Sequence, residues 1–518
     1  MRYLLTGAEM TKADHYTSEV IGIPSLVLME RAALGVADEI EKRFPEKVRV
    51  TVLAGRGNNG ADAIAAGRLL TDRGYPVSFF ITGGKVGEGS SMAVQLKVIS
   101  SYGLSCRVYE PGRGMLEEAE PVVLVDGLFG TGLARKIEGD LAEAVSEINR
   151  LREERGVFVT SVDIPSGISS DDGSVMGCAV KSDLTVTFAF YKRGHFLYPG
   201  AAFCGDLALK EIGITERSLE KKPDMFIYDH ERIRDLVPDR DPAGNKGTFG
   251  KVLVAAGSAG MCGAAYLCAS AAFAAGAGMV KIFTPEENRP ILQTLLPEAM
   301  ITACDAAGTE SLRDKLRKDL EWADILILGP GIGRGDYAKT LLYDLYTIMQ
   351  EEKALVRGLV LDADGLWVTF SDPELTQMLC GRAWPEKLIM TPHLGEFAHM
   401  AGMDIQSAAA DRIFLTRSLA QRCRGVILCK DARTIAAGPE DDRIFLNQYG
   451  TSGMAAAGSG DVLTGICGGF LAAGMEAFDA ACAGCSAHAR AGEAAAGQLG
   501  DYSMKAGDII SHLPGLLK

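Results

Sequence analysis

Twice along its 518 residues the chain alternates short, continuous apolar runs with longer stretches of helical periodicity. VRVTVLAG, YPVSFFIT, PVVLVDGLFG and VFVTSVDIPSG read as strands, with ADAIAAGRLLTDRG and LAEAVSEINRLREERG as helices between them. KSDLTVTFAF and GDLALKEIGI continue the sheet, and residues 23–44 precede it as an amphipathic helix. Strands that are apolar on both faces need cover on both faces, which means a mostly parallel sheet between layers of helices. The pattern then restarts in KVLVAAG, MVKIFTP, WADILILG, RGLVLDADG, KLIMTPH, GVILCK and RIFLNQ. Between the two series, residues 214–244 are charged and carry three prolines, the mark of a linker. The expected organisation is an α/β domain over 1–215, a linker and domain entry over 216–240, and a second α/β domain over 241–518.

A formal net charge of -14 argues against broad binding to nucleic acid or anionic membranes, and neither partner is expected. A phosphate ligand would have to be held by local N–H groups. Residues 252–280 are uncharged but mostly Ala and Gly, with Ser258 and Ser270, so they read as a buried strand, loop and helix. MRYLLTGAEMTKADH lacks the apolar core of a secretion signal, and 12 scattered cysteines suit reduced thiols in a cytoplasmic protein. Cys482 and Cys485 form a CxxC before His488, but their neighbours read as a close-packed helix and zinc needs more ligands.

In parallel sheets ligands bind beyond the C-terminal strand ends. Three polar clusters fall there in the first half. One is Gly55-Arg56-Gly57-Asn58-Asn59-Gly60 with Asp62, which satisfies the weak GxGxxG dinucleotide pattern. The others are Asp126 with Gly127, Gly130, Thr131 and Gly132, and Asp163 with Pro165, Ser166 and Gly167. Asn59, Asp126 and Ser166 offer oxygens to one hard cation, leaving Asp163 for acid–base work. The plainer alternative is that each Asp caps a helix or fixes a turn.

In the second half NQYGTSGMAAAGSGDVLTG runs from a glycine turn into an apolar helix. Gly458, Ser459 and Gly460 allow a tight turn, and the helix after them points free N–H groups and a positive dipole end into it. Asp461 sits at the seam, either as a proton acceptor or only as a helix cap. The turn lacks the Lys-Ser/Thr of a P-loop.

GIPSLVLMERA, GRGNNGAD, DGLFGTGL, SVDIPSGI and KRGHFLYPG resemble the epimerase domain that repairs hydrated NADH and NADPH. The resemblance implies a Rossmann-like three-layer α/β/α domain. It implies substrate binding by Asn58, Asn59, Gly60, Ala61 and Asp62, by Gly130, Thr131, Gly132, Leu133, Ala134, Arg135 and Lys136, and by Asp163. It also implies K+ ligation by Asn59, Asp126 and Ser166. The family usually has NNGGDG, so Ala61 and Ala63 depart from it, and a positive φ at residue 61 would weaken binding.

GSGD, GPGIG, DADGL, TPHLGE and KDART resemble the ADP- or ATP-dependent NAD(P)H-hydrate dehydratases, which are ribokinase-like α/β domains. That resemblance implies nucleotide contacts from Lys430, Asp431, Ala432, Arg433 and Thr434. It extends them to Thr451, Ser452, Gly453, Met454, Ala455, Ala456, Ala457, Gly458, Ser459 and Gly460. Gly263, Ala264, Gly331, His393 and Asp461 would face the hydrated cofactor. Asp431 stands where the family commonly has glycine, a negative charge near the expected phosphates, and Asn245 where many relatives have histidine. On its own His393 reads as a structural strand-end histidine; within HLGE it reads as a ligand contact.

The expected activity is therefore bifunctional. An epimerase with Asp163 as its acid–base group exchanges the R and S forms of hydrated NADH and NADPH. A dehydratase with Asp461 as base consumes the S form at the expense of ADP or ATP, with Mg2+. A homo-oligomer is expected. The competing readings are a small-molecule kinase fused to a dinucleotide-binding domain, and a first half that serves only as a scaffold.

Overall fold

The computed structural model describes residues 1–228, 232–304, 309–352, 355–381, 386–440 and 442–518. Residues 229–231, inside the expected linker, lie outside the described residues. Residues 2–225 and 226–518 form two compact units. Around the division point the chain carries a 3-10 turn at Glu216–Ser218, a strand at Met225–Ile227 and a helix at Arg232–Leu236.

The first unit is built on strands β1 (Val50–Ala54), β2 (Val77–Thr82), β3 (Cys106–Tyr109), β4 (Val123–Gly127), β5 (Phe158–Val162), β6 (Leu184–Phe188) and β7 (Asp206–Lys210). Their order is β3-β2-β1-β4-β5-β6-β7, and every pair is parallel. β1, β4 and β6 are buried along their whole length, as mostly apolar strands covered on both faces are; their Thr51, Asp126, Thr185 and Thr187 are buried with them. The cysteine-bearing β3 is the one strand the apolar pattern does not reveal, because Arg107 and Val108 are exposed at the sheet edge. Helices α1 (Ser25–Arg43) and α2 (Asn58–Asp72) cover the sheet, and α3 (Asp140–Arg155) packs by Ala144, Val145, Ile148 and Leu151. The chain turns sharply from β1 into α2. A Cβ on Gly60 would lie 2.1 Å from the Gly55 carbonyl oxygen, so only glycine closes that turn.

The second unit has strands β8 (Lys251–Ala255), β9 (Met279–Pro285), β10 (Met300–Cys304), β11 (Ile325–Leu328), β12 (Gly358–Leu361), β13 (Lys387–Met390), β14 (Val426–Cys429), β15 (Ile435–Ala437) and β16 (Ile444–Leu446). Their order is β10-β9-β8-β11-β12-β13-β14-β15-β16, parallel up to β14 and antiparallel across β15 and β16. Helix α4 (Cys262–Ala274) follows β8, α5 (Ala363–Ser371) follows β12, and α6 (Leu394–Ala401) follows β13. The glycine turn opens α7 (Ser459–Ala472), and α8 (Ala477–Leu499) contains the CxxC. A Cβ on Gly465 would stand 2.2 Å from the Cys268 carbonyl, so the two Ala/Gly-rich helices α4 and α7 meet backbone to backbone. That contact fixes where the α7 N-terminus points. Cys482, Cys485 and His488 are buried in α8, and no metal-ligating cluster of His, Cys, Asp and Glu occurs among the described residues. No described helix is long and apolar enough to cross a membrane.

Candidate active site

The strand ends of the first unit open onto a cavity of 590 Å³. Asn58, Asn59, Asp62, Gly130, Thr131, Gly132, Leu133, Arg135 and Asp163 line it, together with Asp14, Arg56 and Lys192. Gly60, Ala61, Ala134 and Lys136, also expected to touch substrate, are not among its lining residues.

Asp163 follows β5 with φ of 67°, a left-handed conformation that costs a non-glycine residue about 1–2 kcal/mol. Two hydrogen bonds hold it there. Its amide donates to the Val186 carbonyl at 2.7 Å, and its carbonyl meets His195 Nε2 at 2.9 Å. His195 Nδ1 accepts from the Lys192 amide at 3.1 Å, so the proton is on Nε2. Burial, and then the charge of Lys192, push this imidazole down to about 4, so at neutral pH it is an uncharged peg. Lys192 is only 1% exposed, and its Nζ donates to Asp163 Oδ1 and, at 2.8 Å, to Thr187 Oγ1. A lysine this deep must be paired, and the carboxylate it pairs with, Asp163, is one of those that line the cavity. KRGHFLYPG thus supplies two site residues, Lys192 and His195, for which the sequence suggested no role.

Asp126, at the end of β4, is fully buried. Its Oδ1 accepts from Ser166 Oγ at 2.6 Å and the Leu128 amide at 3.2 Å; its Oδ2 accepts from Ser161 Oγ at 2.7 Å and the Ser166 amide at 3.0 Å. Those four donors use about all the lone-pair sites a carboxylate has. Burial raises the acid's pKa, and the four bonds oppose the rise. The Ser166 hydroxyl has a second acceptor, the Phe129 carbonyl at 3.2 Å, and Asn59 Nδ2 donates to the same carbonyl at 2.9 Å. Asn59, Phe129, Ser166 and Asp126 therefore form one oxygen cluster. Ala61 lies within α2, its amide bonded to the Gly57 carbonyl at 3.1 Å, and its φ is not positive. The positive φ that would make alanine there a weakness is not present: residue 61 needs helical backbone only. Ala63 packs on Gly127, where an added Cβ would come within 2.4 Å of it.

In the second unit Asp461 occupies the first turn of α7, but Gly458, with φ of 91°, is the N-cap and no side chain caps the helix. The reading of Asp461 as a mere cap is overturned. Its carboxyl has no hydrogen-bond partner among the described residues, and burial, then Asp362, raise it to about 7, with Lys430 opposing and Asp364 adding to the rise. The amides of Gly460 and Asp461 have no backbone acceptor among the described residues and carry the positive end of the helix.

Lys430, expected to hold nucleotide, turns inward. Its Nζ donates to Asp362 Oδ1 at 2.7 Å and stands 3.2 Å from where a Cβ on Gly460 would be. Asp362 is 1% exposed, and its Oδ2 also accepts from Thr464 Oγ1 at 2.5 Å. The second carboxylate of DADGL, Asp364, accepts from the Gly333 amide and from Arg334 Nε, both at 3.0 Å. His393 caps α6: its Nδ1 accepts from the Gly395 amide at 3.0 Å, and Glu396 Oε2 accepts from the His393 amide at 2.9 Å. His393 thus has the structural role first, and its side chain remains 58% exposed toward a ligand. Glu396 is buried beneath it and its pKa is raised by that burial. Gly331, with φ of 64°, abuts Ala264, bringing two of the expected substrate residues together. The Thr451 hydroxyl donates to Asp501 Oδ1, and so does the Gly453 amide at 3.3 Å, so those donors of the expected nucleotide loop already meet an anion.

Asp431, the negative charge expected near the phosphates, is paired with Arg412 Nη1. Asn245 makes a turn of its own: its Oδ1 accepts from the Gly247 amide at 2.9 Å.

Residues 252–515 match the family model for NAD(P)H-hydrate dehydratase, and residues 25–194 match the model of the YjeF-related protein N-terminus. The chain is 34% identical over 530 aligned residues to a bifunctional NAD(P)H-hydrate repair enzyme of Moorella thermoacetica, covering 100% of this chain and 97% of that one. It is 32% identical over 496 residues to the enzyme of that name from Coxiella burnetii, covering 95% of each. Among solved structures, an ADP/ATP-dependent NAD(P)H-hydrate dehydratase from Bacillus subtilis, co-crystallised with ATP and Mg2+, aligns at 26% identity with a TM-score of 0.46, covering 56% of this chain and 96% of that chain.

Proposed function

Because the chain belongs to the family of bifunctional NAD(P)H-hydrate repair enzymes, we propose that its two units divide the damaged cofactor between them by epimer. Hydration of the dihydronicotinamide ring makes C6 a stereocentre, so hydrated NADH and NADPH exist as R and S forms. A stereospecific dehydratase repairs only S; the epimerase supplies it from R.

In the second unit Asp461 takes the proton of the C6 hydroxyl as that oxygen attacks the terminal phosphate of ADP or ATP. The Gly458 to Gly460 backbone and the α7 dipole hold the transferring group. Phosphate then leaves with the push of the ring nitrogen's lone pair, and the N1=C6 cation loses a proton from C5 to solvent to form the C5=C6 double bond, giving NAD(P)H, phosphate, and AMP or ADP. The unbonded Asp461 carboxyl, raised to about 7 at a free helix N-terminus, carries this reading: it is a base matched to neutral pH. Mg2+ would be held mainly by the nucleotide phosphates, since the described residues hold no metal-ligating cluster. It would neutralise phosphate charge. In the first unit Asp163 moves the proton of the C6 hydroxyl. K+ fits the oxygen cluster of Asn59, Asp126 and Ser166 through Asn59 Oδ1, which accepts no bond among the described residues; the Asp126 carboxylate supplies the one negative charge, and direct ligation by it would displace one of its four donors. The ion would fix the loops around the cavity. Twelve cysteines without a disulfide fit the cytoplasm, and we assign no membrane or nucleic-acid partner and a homo-oligomeric state.

The test is to incubate the protein with mixed R and S hydrate and either nucleotide. Recovery of dihydronicotinamide absorbance beyond the S fraction is expected. A stable phosphorylated product would instead mark a small-molecule kinase.

A further inference from the structure

The first unit places three carboxylates on one cavity from three different elements: Asp14 from the helix Gly7–His15, Asp62 from α2, and Asp163 after β5. They are not equivalent. Asp163 is ion-paired to Lys192 and hydrogen-bonded to Thr187. Asp62 has no hydrogen bond and no ion pair among the described residues. Burial first, then Asp163 and Asp14, raise its pKa well above that of an ordinary carboxyl. The other charged groups on the cavity are Arg56 and Arg135, both exposed, and the buried Lys192, which is committed to Asp163. One carboxyl is held by an ammonium and a hydroxyl, which suits a carboxylate base, and the other sits beside it with no partner, which suits an acid that keeps its proton.

Resting on the epimerase reading of this cavity, we propose that Asp62 is the catalytic acid of epimerisation and Asp163 the catalytic base, acting through loss and return of water at C6. Asp62 gives its proton to the C6 hydroxyl. The C6–O bond breaks, water leaves, and the N1 lone pair forms an N1=C6 double bond. The resulting ring cation faces the carboxylates of Asp14, Asp62 and Asp163. Water adds to the other face of C6, the N1=C6 pair returns to N1, and Asp163 accepts the proton released by the added water. Proton exchange with solvent restores the starting pair. A lone base cannot serve this route, because hydroxide is a poor leaving group until it is protonated.

The full chain, without nucleotide, is given purified R hydrate of NADH in water enriched in 18O, and appearance of S is followed by chromatography and mass spectrometry. The unsubstituted protein is expected to place one solvent oxygen in each S molecule formed. Asp62→Asn keeps the shape of the side chain without its proton, and is expected to lower kcat about 100-fold or more with KM within about twofold. Asp62→Glu is expected to recover part of the loss. Asn at a half-buried, unpaired position folds as well as Asp, and melting curves check this. A raised KM at unchanged kcat would reduce Asp62 to a substrate contact, and undiminished exchange in Asp62→Asn would remove it altogether. S formed with its original oxygen would exclude water loss in favour of ring opening. Absence of exchange in the unsubstituted protein would sink the epimerase reading itself, an outcome separate from all of these.

Discussion

Lys430 Nζ lies 2.7 Å from Asp362 Oδ1, which sets a half-buried cation against a buried anion beside the unbonded carboxyl of Asp461. Lys430 is the group that opposes the rise in Asp461's pKa, and Asp362 is the largest charge that promotes it.

With Asp461 at about 7, the proposed base role makes the dehydration rate depend on its ionised form. kcat/KM is expected to fall about tenfold per pH unit below 7 and to level off above 8. Lys430→Met removes the opposing cation, so the acid limb moves to higher pH, by about one unit. Asp362→Asn moves it the other way. A limb that stays at 7 in both variants contradicts the assignment of Asp461 as base.

Asp461→Asn is expected to abolish dehydration while R and S continue to exchange. The same substitution stabilises the second unit. An acid whose folded pKa is raised from 3.8 to about 7 costs the fold increasingly as pH climbs through that interval. Above pH 7 the asparagine variant is therefore the more stable, and a gain of about 1 kcal/mol would lift Tm by about 2–4 °C in a unit this size. Calorimetry at pH 5 and pH 8 separates the two cases, since the gain shrinks in acid.

Arg412 neutralises Asp431 beside the nucleotide turn. Arg412→Ala leaves that negative charge facing the phosphates and is expected to raise the nucleotide KM about fivefold, the size of a ~1 kcal/mol penalty. In the double variant Arg412→Ala, Asp431→Gly the loss is expected to disappear. Equal KM in the single and double variants would show that the pair has no bearing on the nucleotide.

Buried His195 and His488, one in each unit, both have pKa values lowered to about 4. In the unfolded chain each titrates near 6.5. As pH falls from 6.5 to 4 the unfolded state takes up a proton that the folded state refuses, so stability drops through that window by on the order of 1–3 kcal/mol per histidine. Urea unfolding at pH 7, 5.5 and 4.5 checks the slope. His195→Gln and His488→Gln are each expected to flatten it for their own unit.

Most strands of the two sheets were legible because their apolar runs have no alternation; the short edge strands β3 and β10 and the three-residue β15 escaped that signal. Asp163 and Asp461 were also legible, since each follows a strand or a glycine turn where parallel sheets place ligands. Their partners were not. Lys192 and His195 lie about 30 residues beyond Asp163, Asp362 lies 68 residues before Lys430, and Thr464 looks like any small residue in an apolar helix. Local sequence holds no record of which of these end up within hydrogen-bond distance.

Taken alone, the sequence determined two parallel-sheet units, the oxygen-rich clusters at their strand ends, and the family to which those clusters are similar. These are properties of period, composition and spacing, readable within a few residues of one another. Only the tertiary structure decided which carboxylates are free. It closed Asp126 with four donors, tied Asp163 to Lys192, and left Asp62 and Asp461 half-buried with no partner. Protonation depends on burial and on charges brought close by the fold, and neither exists until the strands have paired.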